Sequence, residues 1–353
     1  FRRVLFRSKA QTLKPGFDAQ EFYDMLRISV RQVDSTEAET KAKLIPGYQL
    51  VFRSPERGLH NRFDFFMRND GTGIISLRGT VRATESWLEN FYSAMYPSKG
   101  SIKISDTQTF NYKLANDDKA FVHTGWLIGL ASLSPEIVSQ INNAYKTGMR
   151  NVIIVGHSQG GALAFLLRSY LQYSEEVPHD ITYKTYCSAA PKPGNLFYAY
   201  DFDHINDGGW AFRVVNAADW VPETPVSIQT TNDFNAVNPF IMMDASLKNS
   251  PLIAKLYARH AYKKMEKANR KAVKHFEKYL GYKMHDFVKK AMPQIQDFEY
   301  AHCFNYMPAG TPVILMPDEE YYKRFVFDNK NVFIHHLFNP YVYLIKHQYT
   351  VTE

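Results

Sequence analysis

NVIIVGHSQGGALAFLLR, residues Asn151–Arg168, reads as a strand, a sharp turn and a helix in immediate succession. Val152, Ile153, Ile154 and Val155 are a short, unbroken apolar run, the pattern of a strand buried on both faces of a sheet. Gly156-His157-Ser158-Gln159-Gly160 follows at once, and Gly161 to Leu167 read as a buried helix. In that context G-x-S-x-G is a nucleophile elbow. Gly156 and Gly160 keep side chains out of a turn too tight for a Cβ. They leave the Ser158 hydroxyl at the tip, above a helix N-terminus that favours a developing negative charge. The plainer alternative is a Gly-rich turn between two core elements; the strand before and the helix after favour the elbow.

The chain has 353 residues, long enough for two domains or one large α/β domain, and its 45% hydrophobic and 15% aromatic content marks a folded globular protein. No run of about 18 apolar residues is present, so no transmembrane segment is expected. Phe1–Ser8 (FRRVLFRS) is basic, fits no fold pattern and reads as a non-native or disordered remnant; residues 9–353 are expected to form a single domain. The first residue is Phe, so the native N-terminus is expected to be missing together with any signal peptide. The sequence leaves localisation open, with a secreted or extracytoplasmic setting favoured. Cys187 and Cys303 suit neither a disulfide framework nor a zinc site and read as free thiols.

The net charge of +7 is concentrated in one place. Lys248–Lys290 holds eleven Lys and two Arg against Glu266, Glu277 and Asp286, an excess of ten, so the rest of the chain carries −3.

Along the chain, Asp18-Ala19-Gln20-Glu21 reads as a capping box opening a helix with Phe22, Leu26 and Ser29-Val30 on its buried side. Phe63–Met67 and Ile74–Leu77 flank a turn and predict a β-hairpin that ends in Arg78-Gly79-Thr80. A short helix is expected between Arg82 and Phe91, then a long loop over 92–120 with some strand at Ser101–Ile104. Ser134-Pro135 is expected to open a helix with Ile137, Ile141 and Tyr145 on one face, closed by Gly148. Further strands are predicted at Ile181–Cys187 and Trp210–Val215, and a late hairpin pairs Phe298–Phe304 with Thr311–Met316. Strands and helices that alternate around the elbow argue for an α/β sheet covered on both faces.

A serine hydroxyl becomes nucleophilic when a base takes its proton and a carboxylate holds that base in one tautomer. Asp219 suits the carboxylate, because Asn216–Pro222 leaves a predicted strand through a turn. A loop-capping role explains an aspartate there equally well. One oxyanion donor is expected at the backbone N–H of Gln159, the residue after the nucleophile.

Several separate pieces together resemble the class 3 lipases, in the family's order from about Phe63 to Tyr343. They are the Ser158 elbow, Asn216-x-x-Asp219-x-Val221-Pro222, Ile75–Thr80 (ISLRGT) with Trp87 downstream, Val122–Trp126 (VHTGW), Ser188–Asn195 (SAAPKPGN) and Tyr300-x-His302. The resemblance implies an α/β-hydrolase-like fold with a mostly parallel central sheet, to which this chain is expected to add a basic helical insertion of its own at about residues 240–297. It implies Asp219 as triad carboxylate, Thr80 as the second oxyanion donor with a hydroxyl able to add a bond, and a base that follows Asp219. Of His260, His275, His285, His302, His335, His336 and His347, the first three are assigned to a solvated basic helix face and His302 to the inside of a strand. His336 is preferred, since His336-Leu337-Phe338-Asn339-Pro340-Tyr341 matches the family's histidine before a Tyr-bearing C-terminal helix. His335 stands where the family often has Asp and comes second; His302 comes third. Gln159 departs from the family's usual Leu, and its side chain is expected to bond the loop around Thr80.

The resemblance also implies the chemistry: hydrolysis of a carboxylic ester through an acyl-serine, with no metal or organic cofactor. Acylglycerol lipids are the leading substrate class. The alternatives are a non-lipid carboxylesterase acting on aryl or plant-wall esters, and a non-catalytic member that binds lipid surfaces. In the basic segment Leu252, Leu256, Tyr257, Met265, Ala268, Ala272, Phe276 and Tyr279 recur at helical spacing. The preferred reading is a helical insertion packed on the core with a solvated basic face; the other is a cap that makes peripheral contact with an anionic lipid interface. Nucleic-acid binding is not expected, because no aromatic array of a known module accompanies the basic residues.

Overall fold

The computed structural model describes residues 13–30, 45–238, 240 and 251–352. Its strands are β1 (Tyr48–Arg53), β2 (Phe63–Arg68), β3 (Gly73–Leu77), β4 (Met95–Pro97), β5 (Lys99–Ser105), β6 (Gln108–Lys113), β7 (Phe121–His123), β8 (Asn151–His157), β9 (Thr182–Ser188), β10 (Gly194–Asn195), β11 (Ala211–Asn216), β12 (Tyr306–Met307) and β13 (Thr311–Leu315). Its helices are α1 (Ala19–Val30), α2 (Thr84–Phe91), α3 (Thr124–Lys146), α4 (Gln159–Tyr173), α5 (Leu196–Ile205), α6 (Leu252–Glu277), α7 (Lys283–Ala291), α8 (Glu319–Arg324) and α9 (Phe338–Gln348), with one π-helical turn, Lys278–Tyr282, joining α6 to α7. The Phe1–Ser8 remnant, residues 241–250 of the expected insertion and, with them, Lys248 lie outside the described residues.

The main sheet has the order β1-β2-β3-β8-β9-β11-β13. β3, β8, β9, β11 and β13 run parallel, and β1 and β2 add an antiparallel edge. Strand β8 shows why both faces must be covered, since every residue from Asn151 to His157 is buried. Val152 and Ile154 belong to the apolar cluster with Leu127 and Ile128 of α3 and Leu163 and Leu166 of α4. Ile153 and Val155 belong to the cluster with Phe22 and Leu26 of α1 and Leu344 and Ile345 of α9. Alternation along one all-apolar strand thus feeds two cores, which is the α/β-hydrolase-like layering expected. Because these strands are parallel, the loops after β3, β8, β11 and β13 leave from the same edge of the sheet.

Several local expectations are corrected. The late hairpin does not form. Thr311–Leu315 pairs in parallel with β11 instead, and Phe298–Phe304 makes a single bridge, Phe304 to Ile228, while Phe298, Tyr300 and Phe304 pack into the core as irregular chain. The 92–120 loop contains a β5–β6 hairpin in which alternate residues Ile102, Ile104, Phe110 and Tyr112 are buried. The helix expected to open at Pro135 begins at Thr124, where the His123 side chain caps Trp126 N–H. Pro135 can sit inside α3 because the Ala131 carbonyl it leaves unpaired accepts from Gln108 Nε2 at 2.9 Å and Ser134 Oγ at 3.3 Å. Asp18 does cap α1, accepting from Glu21 N–H at 2.9 Å, but Val30 is exposed. The Glu21 carboxylate does not return to the cap; it accepts from Tyr186, Lys184 and Arg68.

The basic helix differs most from its reading. On α6 only Val273 and Glu277 are buried, and the Phe276 ring packs on Phe304. Leu252, Ile253, Leu256, Tyr257 and Met265 are exposed, so the apolar stripe meets the core only in the last turns. Before those turns Tyr262 stacks on Phe240, Thr231 Oγ1 donates to Glu266, and Asn269 donates to the Gln229 carbonyl. His285, assigned to a solvated face, is buried and bonds Tyr92 Oη at 2.9 Å and Asp297 at 3.0 Å.

Candidate active site

Ser158 lies at the tip of β8 with φ 60° and ψ −128°, a left-handed conformation that a non-glycine residue adopts only when its surroundings impose it. They do so here. A Cβ on Gly156 would overlap the Gly160 backbone, and one on Gly160 would overlap the Leu77 carbonyl at the end of β3. Ser158 N–H donates to the Ser188 carbonyl at 2.9 Å, tying the turn to the neighbouring strand.

The Ser158 Oγ is 2.8 Å from His336 Nε2, and His336 Nδ1 is 2.8 Å from Asp219 Oδ2. Asp219 has no exposed side-chain surface. Its Oδ2 also accepts from Tyr341 Oη at 2.8 Å, and its Oδ1 accepts from Val221 N–H at 3.0 Å, so it is held on two sides. Donation to a carboxylate sets His336 with its proton on Nδ1 and Nε2 free to accept from the serine. These three residues come from three loops about 60 and 120 positions apart in sequence, and they meet because β8, β11 and β13 end at one edge.

The other histidines stand elsewhere. His302, expected inside a strand, is on exposed irregular chain and pairs with Glu277 Oε1 at 2.7 Å. His335 points away from Ser158; its Nδ1 accepts from Tyr321 Oη at 2.8 Å, and burial lowers its proton affinity. His347 pairs with Asp318, and His260 and His275 lie on the exposed side of α6.

Residues to which the motifs assigned no such role hold the histidine loop. His157 Nε2 donates to the His336 carbonyl at 2.8 Å, and its Nδ1 accepts from Ser188 Oγ at 3.0 Å. Burial first, and then the nearby His336, push the His157 imidazole down to about 3, so it stays neutral. Asn216 Nδ2 donates to the His335 carbonyl at 2.8 Å and to Tyr321 Oη at 2.7 Å, and Trp220 Nε1 donates to the Val332 carbonyl at 2.8 Å. Tyr321 carries no sequence signal, since its partners lie in other loops.

Gln159 N–H opens the first turn of α4, where backbone donors have no partner within the helix. Thr80, just beyond β3, faces the elbow. Its hydroxyl donates to Gln159 Oε1 at 2.9 Å and accepts from Asn90 Nδ2 at 2.8 Å. The Gln159 side chain therefore bonds the Thr80 loop as expected, but it also takes the hydroxyl proton that the resemblance assigned to the oxyanion. Trp126 Nε1 donates to Asn90 Oδ1 at 3.1 Å and completes the chain of bonds.

Above Ser158 opens a cavity of about 550 Å³, lined chiefly by apolar groups including Trp87, Phe91, Trp220, Val226, Phe333 and Leu280. Phe333 bridges its mouth, 5.8 Å from the Trp87 ring and 5.3 Å from the Trp220 ring. Helix α2 is inverted relative to an ordinary surface helix: Ser86 and Glu89 are buried, while Trp87 and Phe91 are 36% and 55% exposed at the mouth. No residue of α6 lines this cavity. Among the described residues no group of three or more His, Cys, Asp or Glu is placed to hold a metal, and no helix is long and apolar enough to cross a membrane. Cys187 and Cys303 are buried free thiols.

A covered, mostly parallel sheet with a strained serine elbow at its C-terminal edge is an α/β-hydrolase-like fold. Residues 74–228 match the lipase (class 3) family model. The match includes Thr80, Ser158, Gln159 and Asp219 and ends before His336. Among solved structures, the Lip2 lipase of Yarrowia lipolytica is similar at 16% identity and TM-score 0.43, over 61% of this chain and 77% of that one. The triacylglyceride lipase of Rhizomucor miehei is similar at 17% identity and TM-score 0.42, over 59% of this chain and 76% of that one. A triacylglycerol lipase of Penicillium expansum aligns at 16% identity and TM-score 0.39, over 59% and 74%. No curated protein matches the sequence.

Proposed function

We propose that the protein hydrolyses carboxylic esters of lipids, acylglycerols foremost, through an acyl-Ser158 intermediate. The observation that carries this reading is the relay of 2.8 Å contacts from Ser158 through His336 to Asp219. His336 Nε2 takes the hydroxyl proton as Ser158 Oγ bonds to the ester carbonyl carbon. The carbonyl oxygen becomes an oxyanion, which the backbone N–H groups of Gln159 and Thr80 stabilise; one such donor contributes about 3 kcal/mol in related chemistry. Collapse breaks the bond to the alcohol, whose oxygen takes the proton from His336. Water then attacks the acyl-serine with His336 again as base, and the carboxylic acid leaves with Ser158 restored.

The lipid assignment rests on the cavity and its mouth. An apolar volume of about 550 Å³ suits an acyl chain, and exposed Trp87, Phe91, Trp220 and Val226 around it suit contact with a lipid surface. A peripheral role for α6 is a further part of this reading. Its first turns expose Leu252, Ile253, Leu256 and Tyr257, and Lys263, Lys264, Lys267, Lys271 and Lys274 are exposed behind them. That combination suits an anionic interface.

The test is turnover of p-nitrophenyl esters from acetate to palmitate, below and above substrate aggregation, for the wild type and Ser158→Ala. Loss of all turnover in folded Ser158→Ala with a preference for longer chains supports the reading. Turnover confined to acetate or aryl esters moves the substrate class to a non-lipid esterase. Absence of turnover on every ester leaves a non-catalytic lipid-binding protein.

A further inference from the structure

Glu89 is a carboxyl with no exposed surface in the wall behind the oxyanion site. It projects inward from α2 against α3, where two glycines make the room. A Cβ on Gly129 would lie 2.5 Å from Glu89 Oε1, and one on Gly125 would overlap the Glu89 carbonyl. Asn61 Nδ2 meets Oε2 at 2.5 Å, while Oε1 has no partner at hydrogen-bonding distance. The remaining neighbour is the Gln159 side-chain amide, which also interacts with this carboxyl. The other end of that amide, Oε1, accepts from Thr80 Oγ1 at 2.9 Å and Ser86 Oγ at 3.4 Å. One glutamine therefore stands between a buried acid and the hydroxyl beside the elbow.

We propose that Glu89 is a positioning residue of the oxyanion site that acts as the neutral acid, orienting Thr80 through Gln159 and keeping negative charge away from the oxygen on which acyl transfer builds it. The inference rests on the ester-hydrolase reading of Ser158.

Among the described residues no charged group pairs with Glu89. Helix α3 offers Gly125 and Gly129, the loop before β2 offers Asn61, and α4 offers Gln159, all uncharged. Nearby ionisable groups are engaged elsewhere: Arg57 with Glu136, Arg78 with Glu56, and His60 with Glu56 and Glu85. His123, at the start of α3, is pushed down to about 3 by burial and bonds the Asn90 carbonyl. Burial accordingly raises the Glu89 carboxyl to about 8, against smaller opposing contributions from Asn61 and Gln159. An acid of that affinity is neutral at pH 7 and ionised at pH 9.5. Ionised, it would be separated by one side chain from the developing oxyanion, in a site of low dielectric where like charges repel strongly.

The consequence for rate has a definite sign. Activity falls at alkaline pH as Glu89 loses its proton, so kcat on a soluble short-chain ester drops about tenfold from pH 7.5 to 9.5. Stability follows the same group. Its contribution is complete below the unfolded value of 4.5 and is lost as pH rises through about 8.

The experiment is the pH profile of kcat and KM for the wild type, Glu89→Gln and Ser158→Ala on p-nitrophenyl butyrate, with Tm recorded at each pH. Glu89→Gln keeps the size and shape of the neutral acid. It is expected to abolish the alkaline fall in kcat, with KM changed by less than about twofold. Its Tm should gain on the wild type as pH rises from 5 to 8.5. An alkaline fall that persists in Glu89→Gln overturns the proposal. So does a wild-type profile without that fall, a result that does not depend on whether the variant folds. Turnover that survives Ser158→Ala instead overturns the ester-hydrolase reading beneath it.

Discussion

The elbow and helix α6 have equally clear patterns in the sequence, and the fold treats them in opposite ways. At the elbow every direction is occupied: Leu77 of β3 on one side, Ser188 of β9 on another, and the histidine loop above, itself held by His157, Asn216 and Trp220. Among the described residues, α6 meets its neighbours at Val273, Phe276 and Glu277, with further contacts at Tyr262, Glu266, Asn269 and Arg270. A strained conformation survives where packing over-determines it. A helix with an exposed apolar end has no such constraint and is free to meet something outside the molecule. The first kind of region suits the proposed chemistry, and the second suits the peripheral contact proposed for α6.

The sharpest way to break the comparison is at the elbow itself. Ser158→Ala is expected to lower kcat by at least about 10³-fold, with Tm within about 2 °C of wild type, because the nucleophile's oxygen is lost while the turn keeps its glycines. Activity that survives in the folded variant would move the nucleophile elsewhere. Asp219→Asn comes next, with kcat down about 10³- to 10⁴-fold, since an amide no longer selects the His336 tautomer that accepts the serine proton. A much smaller loss would mean that Tyr341 and Val221 hold the loop without help from charge.

Asn216→Ala probes the support without touching the reacting atoms. Removing its bonds to the His335 carbonyl and Tyr321 Oη should lower kcat about 10- to 100-fold and change KM little, because the His336 ring is left less well aimed. A KM effect alone would assign Asn216 to substrate binding. On α6, changing Lys263, Lys264, Lys267, Lys271 and Lys274 to Gln should weaken activity on anionic emulsions about three- to tenfold at low salt. The difference should fade above physiological ionic strength, where the Debye length falls below about 8 Å. Activity on a soluble short ester should be nearly unchanged. Equal activity on both substrates at low salt would make α6 a solvated insertion with no interfacial role. The smallest effect is expected at its exposed end, where Leu252→Ser with Leu256→Ser should change stability by no more than about 0.5 kcal/mol.

The sequence by itself determined the elbow. Val152–Val155, two glycines and an apolar helix leave one local solution, because the strand must be buried on both faces and the turn excludes Cβ atoms at 156 and 160. It also offered Asp219 and His336 as candidates, from their loops and from family order. Local signals could not separate His336 from His335, since adjacent residues on a loop differ only in which way the loop is turned. That orientation comes from Asn216, Tyr321 and His157, which are distant in sequence. Tertiary structure alone decided the partner of β13, an open parallel edge at β11 that no hairpin periodicity predicts. It also inverted α2, with Glu89 inside and Trp87 and Phe91 outside, because the helix lies between a glycine-lined wall and an apolar cavity. And it left the first turns of α6 exposed: periodicity says which residues share a helix face, but only the placement of the helix against its neighbours says whether that face is covered.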